Sequence, residues 1–169
     1  MMKFTLKRLI FIIILTSITK ITLSHEFWID PKNYHLSNNE NAVANIFIGE
    51  NFEGSPIPFT KEYFKISFLH SKDGKSKIKG RLGDIPALNI KKMSQGLNVI
   101  QIESVTKYVE YKKLVKFEIF TREKGYPNLA QKHRENNYQE NFFESYKRYA
   151  KSLISLENFD GKDIDTNME

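Results

Sequence analysis

The chain has no cysteine, which excludes disulfides, thiolate metal sites, cysteine nucleophiles and a lipid-modified cysteine anchor. Nucleotide-binding loops, paired metal-ligand motifs on a helix and nucleophile elbows are also missing, so the common enzyme signatures are absent and no catalytic activity is expected. No internal repeat or low-complexity tract is evident. Acidic residues are missing from the first 24 positions, which carry Lys3, Lys7, Arg8 and Lys20. These four account for most of the formal charge of +6; the rest of the chain has a balance of +2 and no basic stripe that would track phosphates. Nucleic acid is therefore not an expected partner.

What remains is 169 residues with 40% hydrophobic content, enough for one modest core and too little for two full domains. Lys3, Lys7 and Arg8 precede the apolar run from Leu9 to Leu15, followed by the small and polar residues up to Ser24. That is the three-part layout of a secretory signal over residues 1–24. The apolar run from Leu9 to Leu15 is short of the roughly 20 residues that cross a bilayer, and Lys20 interrupts its extension. Thr22 and Ser24 occupy the small-residue positions before a cut, so signal peptidase would expose His25 as the new amino terminus. The expected location is periplasmic or secreted.

Residues 43–50, 63–70 and 97–105 are short, rich in β-branched and aromatic residues and bounded by turn formers, and read as strands. Asp73-Gly74 and Gly83-Asp84-Ile85-Pro86 mark turns, and Lys77-Ile78-Lys79 reads as a short exposed strand. Strands at this spacing point to a small β-sandwich, Ig-like in kind, rather than a parallel sheet. From Tyr108 to Gly125 the pattern fits strand and helix equally, with Gly125 and Pro127 as a helix stop. From Tyr138 to Leu156, Phe142, Tyr146, Tyr149, Ala150 and Leu153 follow a three-four spacing that predicts a C-terminal amphipathic helix. Asn137 would cap it with Glu140 in reciprocal position, and Glu144 would pair with Arg148. The expected organisation is thus α+β: a sandwich domain over 25–157 with a helical segment at 112–157, then a disordered acidic tail at 158–169.

Four histidines carry the remaining chemistry: His25, His35, His70 and His133. A histidine at a free amino terminus offers its α-amine and ring Nδ1, which close a chelate around one metal ion. Such nitrogen sites favour copper over nickel over cobalt. The amine has an ordinary pKa of about 7.7–8.0, so capture of a metal displaces a proton and weakens on acidification. His133, beside Arg134, is the candidate second ligand, and Glu26 and Asp30 can add oxygens or orient the ring. His35 and His70 read as surface or edge residues, and Trp28 as a core anchor.

His25-Glu26-Phe27-Trp28-Ile29-Asp30-Pro31, directly after the signal, resembles the opening of a periplasmic family described as NikM-like and associated with nickel or cobalt uptake. Residues 49–56 resemble that family's loop after an early strand, Glu123-Lys124-Gly125 the end of a short helix, His133-Arg134 its His-Arg pair, and residues 143–153 its helix. The resemblance implies a β-sandwich with a helical segment and a second β-rich portion downstream that this shorter chain lacks. It also implies an accessory role, with a divalent metal passed to a membrane transporter component. Two other readings stay open: a structural or protein-interaction sandwich whose aromatic helix docks on a membrane partner without metal, and a copper-dependent oxidative enzyme with a terminal histidine site.

Overall fold

The computed structural model describes residues 25–157 together with Ile164 and Thr166. The signal reading of residues 1–24 and most of the tail lie outside the described residues. The chain forms two open sheets, face to face, with a two-stranded ribbon and two short helices appended.

The first sheet contains β1 (Glu26–Pro31), β3 (Ala42–Glu50), β4 (Glu53–Pro56) and β7 (Leu88–Ile90). β1 runs antiparallel along one side of β3, with Trp28 opposite Phe47 and Pro31 opposite Ala44. β4 and β7 share the other side of β3, β4 at its end and β7 at its start. The second sheet has the order β2 (His35–Leu36), β11 (Tyr149–Leu156), β8 (Gly96–Ser104), β5 (Phe64–Ser71), β6 (Gly74–Lys77). All its pairings are antiparallel except β2 with β11. That parallel contact is reinforced by Ser155 N–H to Tyr34 O (2.8 Å), Glu157 N–H to Leu36 O (2.7 Å) and Asn38 N–H to the Glu157 carboxylate.

Period-two alternation builds the core. Ala42, Ala44 and Ile46 of β3 face Leu69, Ile100, Ile102 and Ile154 of the second sheet in one buried cluster. β8 is central and buried on both faces, so its outward side chains must find polar partners. His70 donates from Nε2 to Gln101 Oε1 at 2.5 Å, and Glu103, 2% exposed, accepts from Lys147 Nζ at 2.7 Å with Lys65 at 3.8 Å. His70 is thus a buried, satisfied residue, not a surface one. Trp28 is half-buried on the outer face, alternating with buried Ile29, and is not a core anchor.

Beyond Ser104 the β8–β11 pair continues as a second antiparallel ribbon, β9 (Lys107–Tyr111) with β10 (Phe142–Tyr146), after a break at Lys147 and Arg148. The connection between β9 and β10 carries α1 (Leu114–Glu123) and α2 (Leu129–Glu135). Both helices end in the same way. Gly125, at φ 82°, lets its N–H reach Arg122 O and the Tyr126 N–H reach Thr121 O; Asn137, at φ 54°, does likewise with Arg134 O and His133 O. An aromatic cluster fills the space under them: Phe142 lies 5.3 Å from Tyr111 and 5.1 Å from Phe117 between ring centroids.

A β-sandwich with a helical appendage is therefore present, but the long helix over Tyr138–Leu156 is not. That segment is β10 and β11, and the helical segment is confined to residues 114–135. Phe142, Glu144 and Tyr146 are the inward parity of one strand, and Ala150, Ser152, Ile154 and Leu156 that of the next. The inward parity is the same on both sides of the turn at Lys147-Arg148, and the three-four spacing mimics a helical stripe only by adding the outward, exposed Tyr149 and Leu153 to inward Phe142, Tyr146 and Ala150. Asn137 closes α2 instead of opening a helix, and Arg148 stacks on Tyr146 instead of pairing with Glu144. The aromatic helix expected to dock on a membrane partner does not exist. The stretch from Tyr108 to Gly125 is both things in succession, strand then helix.

Candidate functional site

The amino-terminal end of β1 meets the β3–β4 hairpin. Gly49 lies opposite Gly54, and a Cβ on Gly49 would sit 1.9 Å from Glu53 O, so this crossing tolerates no side chain. Glu50 pairs with Glu53 around a two-residue loop, Asn51-Phe52, with φ of 54° and 60°. Two consecutive left-handed residues match the twist of a tight hairpin, a position that favours Asn-Gly over a bulky residue. Phe52 adopts it nonetheless while 76% exposed, and its N–H donates to Glu26 Oε2 at 3.0 Å. Glu26 thus ties the hairpin tip to β1.

His25 precedes Glu26, whose partner is Gly49. β1 begins at Glu26, so His25 stands one residue beyond the paired strand; the register continued outward would place it in a cross-strand row with Glu50, which is paired with Glu53. The His25 ring is exposed and has no hydrogen bond or ion pair among the described residues.

Next to this row runs an open groove of about 890 Å3 along the seam where β1 meets β11. Trp28 stacks on Phe47 at 5.2 Å, Phe52 meets Trp28 edge-on at 5.7 Å, and Asp30, Tyr34 and Glu53 supply polar rims. Lys151, also in the groove, donates to Thr166 O at 2.6 Å and to the Thr166 hydroxyl, which brings part of the tail to its edge. The Phe52 contribution carried no periodic signal in the sequence, because it depends on a turn conformation that residue type disfavours.

His133 is on α2, in the appendage. Its Nε2 donates to Gln139 O at 2.7 Å, and its ring packs 4.4 Å from that of Phe142 and 5.3 Å from that of Tyr138. Nδ1 is its remaining ring nitrogen for a ligand. His35 Nδ1 is hydrogen-bonded to Ser155 Oγ at 2.6 Å on edge strand β2. Among the described residues, no three His, Asp or Glu side chains converge as a metal-holding group, and none of their helices is long and apolar enough to cross a membrane. The structure does not bring His25 and His133 into such a group.

A family model described as Domain of unknown function (DUF4198) matches residues 22–168. No curated protein and no solved structure matches the chain.

Proposed function

We propose, from the premise that the chain belongs to this domain family of undefined activity, that it is an exported accessory protein that carries a divalent transition metal, nickel or cobalt, to a membrane transporter. The cargo is held at His25. The observation that carries the reading is the free, exposed His25 at the start of the sandwich, one residue before Glu26, which holds the tip of the Glu50–Glu53 hairpin. The likeness of residues 25–31 to NikM-like periplasmic proteins supports the same choice of cargo.

In the unprocessed chain the His25 nitrogen is an amide, which binds a metal only after losing its proton. Cleavage after Ser24 would turn it into an amine, so one residue would supply two nitrogens and no convergence of three side chains is needed. A carboxylate from Glu50 or Glu53 adds charge neutralisation. A set mixing nitrogen with exposed oxygen is suited to release as well as capture, because water and a receiving ligand can displace the carboxylate. Glu26 acts through its bond to the Phe52 N–H by fixing the hairpin tip beside the terminus. His133 can contribute only through Nδ1.

The test is calorimetric titration of nickel, cobalt and copper into the chain beginning at His25, into the same chain with one extra residue before it, and into His25→Ala. The extra residue leaves the imidazole intact and turns the His25 amine into an amide, so the amine–imidazole chelate of His25 itself is removed. Both changes are expected to weaken binding by at least about ten-fold, or 1.4 kcal/mol. Equal affinity of the extended and native forms would remove the chelate and the function built on it.

A further inference from the structure

A second concavity lies in the appendage, on elements that carry none of the row at His25. It is a pocket of about 570 Å3 between α1, α2 and β10, walled by Phe117, Phe120, Leu129 and Phe142, with Lys124 at its rim. One polar group stands against this apolar lining. Glu144, on β10, faces the pocket, and its Oε2 is buried with no hydrogen-bond partner.

Buried carboxylate oxygens in native proteins nearly always have a partner, because desolvation without a hydrogen bond is costly. Lys124, at the rim, makes no ion pair with Glu144, and other cations of the region are engaged elsewhere. Lys147 and Lys65 serve Glu103, Arg148 stacks on Tyr146, and Arg134 bridges to Glu118 at 3.1 Å. The Tyr111 hydroxyl interacts electrostatically with the Glu144 carboxylate, and Oε2 has no hydrogen-bond partner. A hydrogen-bond acceptor of negative charge, set in a pocket of aromatic faces, is a recognition pattern for a cation with an apolar body.

We propose that this pocket binds a small organic amine, whose ammonium donates to Glu144 Oε2 and whose flat apolar group lies among Phe117, Phe120 and Phe142. Screening is weak in such a site, so the charge-assisted hydrogen bond is stronger than on the surface. An anionic ligand of the same shape is repelled by the same carboxylate. A neutral alcohol can donate but gains neither the charge nor the cation–π contribution. The site is independent of the metal reading and stands if that reading fails.

The experiment is a titration of the purified full chain with phenethylamine, 2-phenylethanol and 3-phenylpropionate, followed by NMR shifts of the appendage residues. Saturable binding of the amine is expected, weaker by at least about ten-fold for the alcohol and absent for the carboxylate. Glu144→Gln is expected to weaken the amine to the level of the alcohol. Its thermal midpoint without ligand is expected to equal or exceed that of the parent, since a desolvated charge is removed. Equal binding of amine and alcohol, no saturation by the amine, or unaltered amine binding in Glu144→Gln overturns the proposal. So does unfolding of Glu144→Gln, which would make the carboxylate a structural element.

Discussion

At the scale of single residues, the outward face of β8 shows how a sandwich buries polar groups without metal or ligand. His70 is 6% exposed and Gln101 3%, and each is the other's partner. Gln101→Leu strands the imidazole nitrogen and is expected to cost about 1–3 kcal/mol in urea denaturation, while adding His70→Leu should recover most of it. Tyr111 reports a similar environment in the appendage. Burial first, and the Glu144 carboxylate second, push its phenol pKa above the ordinary value of 10.0. A raised folded-state value favours the protonated form, so the stabilisation is fully present below about pH 10 and fades as pH rises through the folded pKa. In alkaline absorbance titration, one of the eight tyrosines is expected to lag the rest, and Tyr111→Phe should abolish the lagging transition.

At this scale the sequence was only partly legible. Histidines can be counted, but their surroundings cannot: the burial of His70 comes from a strand 30 residues away pairing with its own, Val99 lying opposite it. Glu144 was legible only as a helical partner of Arg148, not as a buried carboxylate. Its isolation depends on two helices covering a ribbon, and no local pattern encodes that.

At the scale of elements, strands whose alternation stays in one phase, such as residues 43–50, could be read within a residue or two of β3 (Ala42–Glu50). At Tyr138–Leu156 the apolar outward residues Tyr149 and Leu153 blurred the alternation of two successive strands, and the pairing of eight consecutive residues of β11 with β8 decided the outcome. Tertiary pairing overrode a helical stripe that would have left the edge of β8 unpaired. The β3–β4 hairpin makes its own prediction. Phe52 in the left-handed region is strained, by about 1–2 kcal/mol for a bulky residue, and it buries little area in return. Phe52→Gly restores an Asn-Gly turn and is expected to raise the thermal midpoint while opening the groove beside Trp28. A lowered midpoint would mean that the edge-on contact with Trp28 outweighs the strain. Gly49→Ala, in contrast, drives a methyl into the backbone of Glu53. It is expected to cost at least about 1–3 kcal/mol and to splay the hairpin away from β1, as hydrogen exchange of the Phe52 amide would show.

At the scale of the whole molecule, the appendage is an insertion at the tip of one long hairpin. β9 and β10 prolong the β8–β11 pair, and Tyr111 lies opposite Phe142 where the ribbon opens into the helices. The sandwich cluster draws no residue from the appendage. Replacing residues 112–141 with a two-residue Asn-Gly turn is therefore expected to leave a folded sandwich with a cooperative melt and an unchanged Tyr-independent near-UV signal from Trp28. A chain that no longer melts cooperatively would show the appendage to be part of the folding unit.

The clasp between β2 and β11 sets an order of assembly. Among the described residues, the strand at residues 35–36 pairs only with residues 155–156, and β8 lacks one edge until β11 arrives. A polypeptide emerging head first from a ribosome or a secretion channel therefore holds its early strands in waiting, and the second sheet cannot close until its last strand has come through. The ends of the domain act as a zip and its stop: loss of the closing segment would leave β8 open to pairing with other chains rather than merely shortening the protein.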